Sequence, residues 1–424
     1  MILNEARARK ILDSRCEATI EVSAVSGKYR ARASAPSGKS RGKNEAEPFS
    51  QKGIDFSISF LNMLGQKLVS EKISFSKFGD LEKIENIARQ FDKTKNWNII
   101  GGNAIYAIEA AILKLMAACS KQELWKFLNP NTRALPMPVG NCIGGGMHVK
   151  QETLKNQKVF GAPKTREFSS EKADIQEFLF IPQASSFMNA YSANLHAYKE
   201  AKKLLLERKG WKGKLTDENA LASTLETEQI LEILNKVARI VEEKMKIKMR
   251  IGIDMAASTL WDGKTYSYKN PKKKLSETEQ EAHVFRLIEK YNLFYVEDPA
   301  KENFSEFSEL MRKKRKDVMI VSDDLTATHL ELAQKAVKEQ SMSAVIIKPN
   351  QCGSLIEAKK VSDFAKKHNI LTIMSHRSGE TSDDLIADLA VAWQADFIKT
   401  GILGKERFAK LHRLLKIERQ MGRR

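Results

Sequence analysis

Leu293-Phe-Tyr-Val-Glu-Asp-Pro299, Val318-Met-Ile-Val-Ser-Asp-Asp324 and Ala344-Val-Ile-Ile-Lys-Pro-Asn350 repeat one pattern: a short apolar, β-prone run that stops abruptly in charged residues. Working outward, the same pattern stands at Met249-Arg-Ile-Gly-Ile253 before Asp254, at Ile370-Leu-Thr-Ile-Met374 before His376, and at Asp396-Phe-Ile398 before Lys399. A helical segment follows each run. From Glu297 onward the run ends recur roughly every 25 residues, about what one strand plus one helix occupies in a (β/α)8 barrel. Parallel strands covered on both faces read as continuous apolar runs, and barrel catalytic groups stand at strand C-terminal ends. An open doubly wound sheet is the alternative, but no G-x-G-x-x-G lies between a strand and a helix. The reading is an α/β fold built on a TIM-type barrel.

The chain has 424 residues, more than the roughly 250 to 300 that one core usually supports, so a second domain is expected. The first part supplies it. Thr19-Ile-Glu-Val-Ser23 and residues 28–34 alternate as a half-buried antiparallel pair, and helical periodicity runs from about Ala104 to Leu128 before Asn129-Pro-Asn. We divide the chain into a smaller α+β domain, 1–133, and a barrel, 134–424. With 42% hydrophobic residues, disordered and collagen-like classes are excluded. The longest apolar stretch singled out, Leu385 to Phe397, is interrupted by Asp388, Gln394 and Asp396, so no membrane span is expected. The first ten residues carry both charge signs and no signal-like apolar run, which gives a cytoplasmic expectation. Cys16, Cys119, Cys142 and Cys352 form no C-x-x-C pair and are read as reduced thiols.

The net charge of +18 suits nucleic acid, a membrane surface or a small anion equally. The densest basic run, Arg312-Lys-Lys-Arg-Lys316, is read as a solvated helix end, and Lys272-Lys-Lys274 as a loop before a Ser276-x-x-Glu279 capping box. Nucleic acid is therefore not indicated.

If Asp254, Glu297, Asp323, Lys348, His376 and Lys399 converge on one mouth, the three carboxylates form a hard, all-oxygen site suited to magnesium or manganese. Taken singly, each Asp is as well explained as the N-cap of its helix. Lys348, beside Lys399 and a metal, is expected to have its pKa lowered toward that of a general base; a salt bridge to one of the carboxylates is the competing reading. Ser375-His-Arg-Ser-Gly379 gathers a guanidinium, hydroxyls and an imidazole in one loop, a set able to hold a phosphate, so a phosphorylated acid is the favoured substrate. Ser37-Gly-Lys-Ser40 looks like the end of a P-loop, but Ala33 stands where that pattern needs glycine; a flexible loop over the mouth is the better reading.

Asp13-Ser-Arg, Ala35-Pro-Ser-Gly-x-Ser40, Gly101-Gly-Asn-Ala104, Gln176-Glu177, Val296-Glu-Asp-Pro299, Asp323-Asp-Leu-Thr326, Lys348-x-Asn-Gln351, Ser375-His-Arg-Ser-Gly-Glu380 and Ile398-Lys-Thr-Gly401 together resemble the enolase family, in order and over nearly the whole chain. The resemblance implies a modified (β/α)8 barrel that dehydrates 2-phosphoglycerate to phosphoenolpyruvate, a reaction of glycolysis and gluconeogenesis. It implies Lys348 as base, Glu218 as acid with Glu177 beside it, and His376 in the catalytic set. Asp254, Glu297 and Asp323 match a first magnesium site and Ser40 a second, giving two Mg2+ per active site. His148, Gln176, Glu177, Ser375, Arg377, Ser378 and Lys399 match substrate contacts. A homo-oligomer, dimer or octamer, is also implied.

The chain departs from the family pattern in places. Cys16-Glu-Ala18 replaces Gly-Asn-Pro, Lys39 and Arg41 stand where small or neutral residues are usual, and Asn219-Ala220 replaces a glycine pair after the acid. Residues 149–173 replace a short glycine-rich loop and are read as an inserted surface excursion. Extra cations near Ser40 are expected to tighten phosphate binding or slow product release. Two competing readings are another superfamily member acting on a different carboxylate acid, and a polyanion- or RNA-binding protein of this fold with reduced activity.

Overall fold

The computed structural model describes residues 1–39, 42–146 and 172–422. An antiparallel meander opens the chain: β1 (Glu5–Leu12), β2 (Ala18–Ser26) and β3 (Tyr29–Ser34). Alternation in β2 buries Ile20, Val22 and Ala24 and leaves Glu21 and Ser23 partly exposed, as a half-covered strand requires. Helices α1 (Ile54–Ser70) and α2 (Gly102–Cys119) pack on this sheet. The helical stretch expected to Leu128 is broken after Cys119, and a separate short helix covers Leu124–Leu128. Among the described residues, α2 is the one helix long and apolar enough to cross a bilayer, a candidate the expectation of no membrane span did not consider. Here 83% of it is buried inside the protein, which makes it a core helix.

The barrel has β4 (Met137–Gly144), β5 (Glu177–Gln183), α3 (Phe187–Glu207) and α4 (Thr227–Met245), then six strand–helix pairs. These are β6 (Lys248–Asp254) with α5 (Glu277–Tyr291), β7 (Tyr295–Glu297) with α6 (Phe304–Lys313), and β8 (Met319–Ser322) with α7 (Leu330–Lys338). They continue with β9 (Ala344–Ile347) and α8 (Leu355–Lys367), β10 (Leu371–Ser375) and α9 (Leu385–Ala392), and β11 (Phe397–Lys399) and α10 (Lys405–Met421). Neighbours run in chain order from β4 to β11, and β11 pairs back onto β4 to close the wall. Val139, Leu179, Tyr295, Val321, Ile346 and Ile373 fill the interior as a packed plug. One strand departs from the parallel array: β5 runs antiparallel to both β4 and β6. Its first residue, not its last, therefore faces the mouth.

Local signals hold where they rest on caps. Ser276 and Glu279 form the reciprocal capping box that starts α5. The basic run closes α6, with Arg312 and Lys313 paired to Glu309 and Arg315 to Asp317, so much of its charge is answered within the fold. Lys272–Leu275 is a strand and not the expected loop, since it pairs with Tyr266–Lys269 in an antiparallel hairpin. Lysines alternate outward along this two-stranded edge, a common way to keep an edge soluble.

Candidate active site

Register decides what meets at the mouth. Glu177 at the start of β5 lies opposite Asp254 at the end of β6, and Asp254 lies opposite Glu297 at the end of β7. Lys399 ends β11 beside Ser375 of β10. These side chains form one tier, and the Lys399 ammonium sits 2.9 Å from Glu177 Oε2, 2.9 Å from Asp254 Oδ2 and 2.7 Å from Glu297 Oε2, all of them buried. On the next wall Lys348 pairs with Asp323, whose other oxygen accepts from Gln351 at 2.9 Å. Gln176 Nε2 donates to Asp254 at 3.4 Å.

The corner around Glu218 is built differently. Glu218 sits in the turn between a side ribbon's two strands, Trp211–Leu215 and Leu221–Ser223, and Asn141 of β4 donates to its Oε2 at 3.0 Å. His376 Nε2 lies 3.3 Å from the same oxygen. Burial, then the adjacent Glu218 carboxylate, raises Glu177 well above the usual carboxylate range. Burial lowers His376, which keeps its imidazole neutral.

The third corner belongs to residues 375–380. Arg377 donates to Glu45 at 2.7 Å, and Gly38 packs on its guanidinium so closely that a Cβ there meets Nη2 at 1.7 Å. Ser378 Oγ accepts from Arg15 at 3.1 Å and from the Lys39 amide at 2.9 Å. Behind the loop, Arg407 of α10 donates to the Ser378 carbonyl at 2.7 Å and Lys410 pairs with Glu380 at 2.6 Å. This loop is thus held on one side by α10 and on the other by residues of the N-terminal domain.

Gln176, Glu177, Glu218, Asp254, Asp323, Lys348, Ser375, His376, Arg377, Ser378 and Lys399 all line one cavity. Glu297 lies just behind it on Lys399. Ser40 and His148 fall outside the described residues, as does most of the inserted stretch 149–173. Sequence reasoning missed Asn141, Glu45, Asp298 and Asp324 as site residues. Only Asp298 and Asp324 had a signal, being the second acid in each strand-end pair. Both Asp298 oxygens are occupied by backbone, accepting from the Asp323 amide at 3.1 Å and the Asp324 amide at 2.9 Å, so Asp298 orients the β8 turn.

The expected lowering of the Lys348 pKa is corrected. Burial, Arg377 and Lys399 do push it down, but the contact with Asp323 outweighs them and the net direction is up. The salt-bridged reading describes this state.

The donor set fits a divalent cation. Asp254, Glu297 and Asp323 offer only oxygen, and the buried Glu297 Oε1 has no hydrogen-bond partner among the described residues. Burial and the Asp254 charge raise Glu297 to about 7, while Asp324 stands well above its ordinary range from burial and Asp323. Carboxyl groups outnumber the two lysines set among them. The Lys399 and Lys348 ammonium groups lie among these carboxylates, so a divalent cation there could take over part of their charge.

The sequence comparisons agree with this geometry. The family description "Enolase, N-terminal domain" matches residues 3–128, and "Enolase, C-terminal TIM barrel domain" matches residues 164–424. An enolase of Methanosphaera stadtmanae is 35% identical over 99% of this chain and 97% of its own length. One of Archaeoglobus fulgidus is 36% identical over 100% of this chain and 98% of its own.

The chain belongs to the enolase family.

As an enolase it is a carbon–oxygen lyase of the phosphopyruvate hydratase kind. Its departures from the enolase pattern are accommodated locally. Cys16 keeps a left-handed φ of 61°, the conformation glycine adopts freely, so the turn survives at the cost of strain in a non-glycine residue. Asn219 holds φ 64°, which asparagine tolerates better than most residues, and the turn bearing Glu218 is preserved. Lys39 does not point to a phosphate pocket: its ammonium pairs with Asp217 at 3.1 Å.

Proposed function

We propose that the chain interconverts 2-phosphoglycerate and phosphoenolpyruvate, with Lys348 as the base at C2 and Glu218 as the acid at the departing hydroxyl. The observation carrying this reading is the ring order. In an eight-membered wall, β9, which leads into Lys348, stands opposite β5, which begins at Glu177 beside the acid corner. Base and acid then address opposite faces of the substrate, the geometry an elimination across C2 and C3 needs.

Asp254, Glu297 and Asp323 would hold magnesium, with Ser40 and the phosphate completing a second position. Bound there, a divalent ion would supply positive charge to offset the negative charge that grows on the substrate carboxylate as the C2 proton leaves. Asp323, if it served as a ligand, would no longer be the partner that raises Lys348, and burial, Arg377 and Lys399 would then favour the neutral amine, the form that accepts a proton. Glu177 and Glu218 share a buried corner in which burial and the Glu218 charge raise Glu177, so the pair favours holding a proton for a leaving group too poor to depart as hydroxide. Arg377 exchanges Glu45 for the phosphate, and Ser375 and Ser378 add hydroxyl donors.

We also read the chain as a cytoplasmic enzyme of glycolysis and gluconeogenesis, in two domains divided at 133/134. Four unpaired thiols, with Cys142 and Cys352 buried, support a reducing compartment. Exposed Leu12 on the edge strand β1 supports a homodimer or larger ring formed through the N-terminal sheet. The deciding experiment follows the enol absorbance of phosphoenolpyruvate formed from 2-phosphoglycerate, with magnesium and then with chelator, for the native chain and Lys348→Ala. Turnover indifferent to either treatment defeats the mechanism.

A further inference from the structure

The cavity among the catalytic groups is about 30 Å³. Since one water needs roughly 10 to 15 Å³ on this measure, it holds about two waters and no phosphorylated three-carbon acid. Something must move for substrate to enter. Most of the lining is barrel strand end or the turns that follow, fixed by sheet register and by buried hydrogen bonds. The exceptions are Glu218 in the side ribbon's turn, and Glu45 and Gly38 from the N-terminal domain; Gly38 belongs to the segment Ser37–Lys39, which lies over Arg377.

Besides the Ser37 hydroxyl, which donates to Asp13 at 2.6 Å and accepts from Arg15 at 3.0 Å, three contacts hold that segment down. Ser37 exchanges backbone hydrogen bonds with Gly379, at 2.7 and 2.9 Å. The Lys39 amide donates to Ser378 Oγ at 2.9 Å. The third is of another kind: Lys39 Nζ reaches across the mouth to Asp217 Oδ2 at 3.1 Å. Asp217 directly precedes Glu218, its side chain is buried, and its Oδ1 has no hydrogen-bond partner among the described residues. Lifting the segment therefore strips a buried carboxylate of its cation, whereas the exposed end of Lys39 loses little.

We infer that Lys39 is a latch: a positioning residue that ties the Ser37–Lys39 segment to the turn carrying the acid and so sets how long substrate and product are retained. This rests on the proposed assignment of Glu218 as acid, though the latch itself is defined by geometry alone. The latch raises the closed fraction, apparent affinity scales with that fraction, and product leaves only when the pair parts.

The test uses Lys39→Met, Asp217→Asn, their combination, and Lys39→Arg in the full-length protein. Hydrogen exchange of the peptide containing Ser37–Lys39 is measured without substrate, alongside KM and kcat for 2-phosphoglycerate with magnesium. Each single variant is expected to speed exchange and raise KM about three- to tenfold, a range of about 0.7 to 1.4 kcal/mol, with kcat unchanged or higher. The double variant should add little to either single, and Lys39→Arg should restore the native values. Unchanged exchange in both single variants, additive effects, or a fall in kcat at constant KM overturns the latch. Absence of turnover in the native chain, with the exchange pattern as expected, would instead strike the acid assignment and leave the latch standing.

Discussion

Replacing Lys399 with methionine removes one buried charge and keeps most of the side-chain volume. Three carboxylates, at 2.7 to 2.9 Å from that ammonium, are then left facing each other in a site with almost no solvent. Stranding a buried charge by deleting its partner costs about 3 to 5 kcal/mol. Unfolding entropy near 2.1 cal/mol/K per residue gives about 0.9 kcal/mol/K for this chain, so the midpoint should fall by about 3 to 6 °C in chelator. Magnesium at about 100 times its dissociation constant stabilises whichever protein binds it by about 2.7 kcal/mol, so the deficit shrinks only as far as the variant, freed of the competing ammonium, binds the ion more tightly than the native chain. Differential scanning calorimetry of both proteins, with chelator and with magnesium, measures this directly. An unchanged midpoint in chelator would show that the carboxylates are not held by Lys399, and midpoints of both proteins that ignore magnesium would show that they do not share a cation.

The remaining expectations concern the chemistry and its frame. Glu218→Gln should lower kcat by about 100-fold or more while exchange of the C2 proton with deuterated solvent persists; Lys348→Ala should abolish both. Loss of exchange in the Glu218 variant would contradict the separation of roles. Gly38→Ala should raise KM by about tenfold, because its Cβ meets the Arg377 guanidinium at 1.7 Å and that arginine is already held by Glu45. Wild-type KM would mean that the segment yields freely. Burial, then the cations of Lys273 and Arg286, lowers His283 to about 4 from its ordinary 6.5. The unfolded chain thus binds the proton more tightly, so this contribution is complete above pH 6.5 and declines as pH falls toward 4. At most about 3 kcal/mol is lost this way. Urea midpoints at pH 7.5 and 4.5 should differ less for His283→Phe than for the native chain, and equal acid sensitivity would refute the linkage.

Much of this site could be read from the chain because it follows one rule. Asp254, Glu297, Asp323, Lys348, His376 and Lys399 all stand where a buried parallel strand stops, and full burial leaves a continuous apolar run as its signature. Glu177 escapes that rule, because β5 enters the mouth at its first residue; only the family resemblance pointed to it. Asn141 lies inside β4 with no pattern to mark it. Glu45 and Arg15 reach the site from the N-terminal domain, a contact set by docking two domains that no local periodicity encodes. The charge state of Lys348 was misjudged for a related reason: spacing brings cations and carboxylates together but does not say which pair will touch. Contact with Asp323 decided it.

The reversal of β5 has one more consequence. Because β4 leaves and β5 enters at the same rim, the connection between them begins and ends on the substrate side. Its two ends are stapled: the Gly146 amide donates to the Ala173 carbonyl at 2.8 Å, and Lys172 donates back to the Gly146 carbonyl. Chain of almost any length can be spliced between such fixed posts at little entropic penalty, since loop closure grows only slowly with added residues. The barrel thereby offers a grafting port directly above its chemistry, where new recognition can be introduced without disturbing a single wall strand.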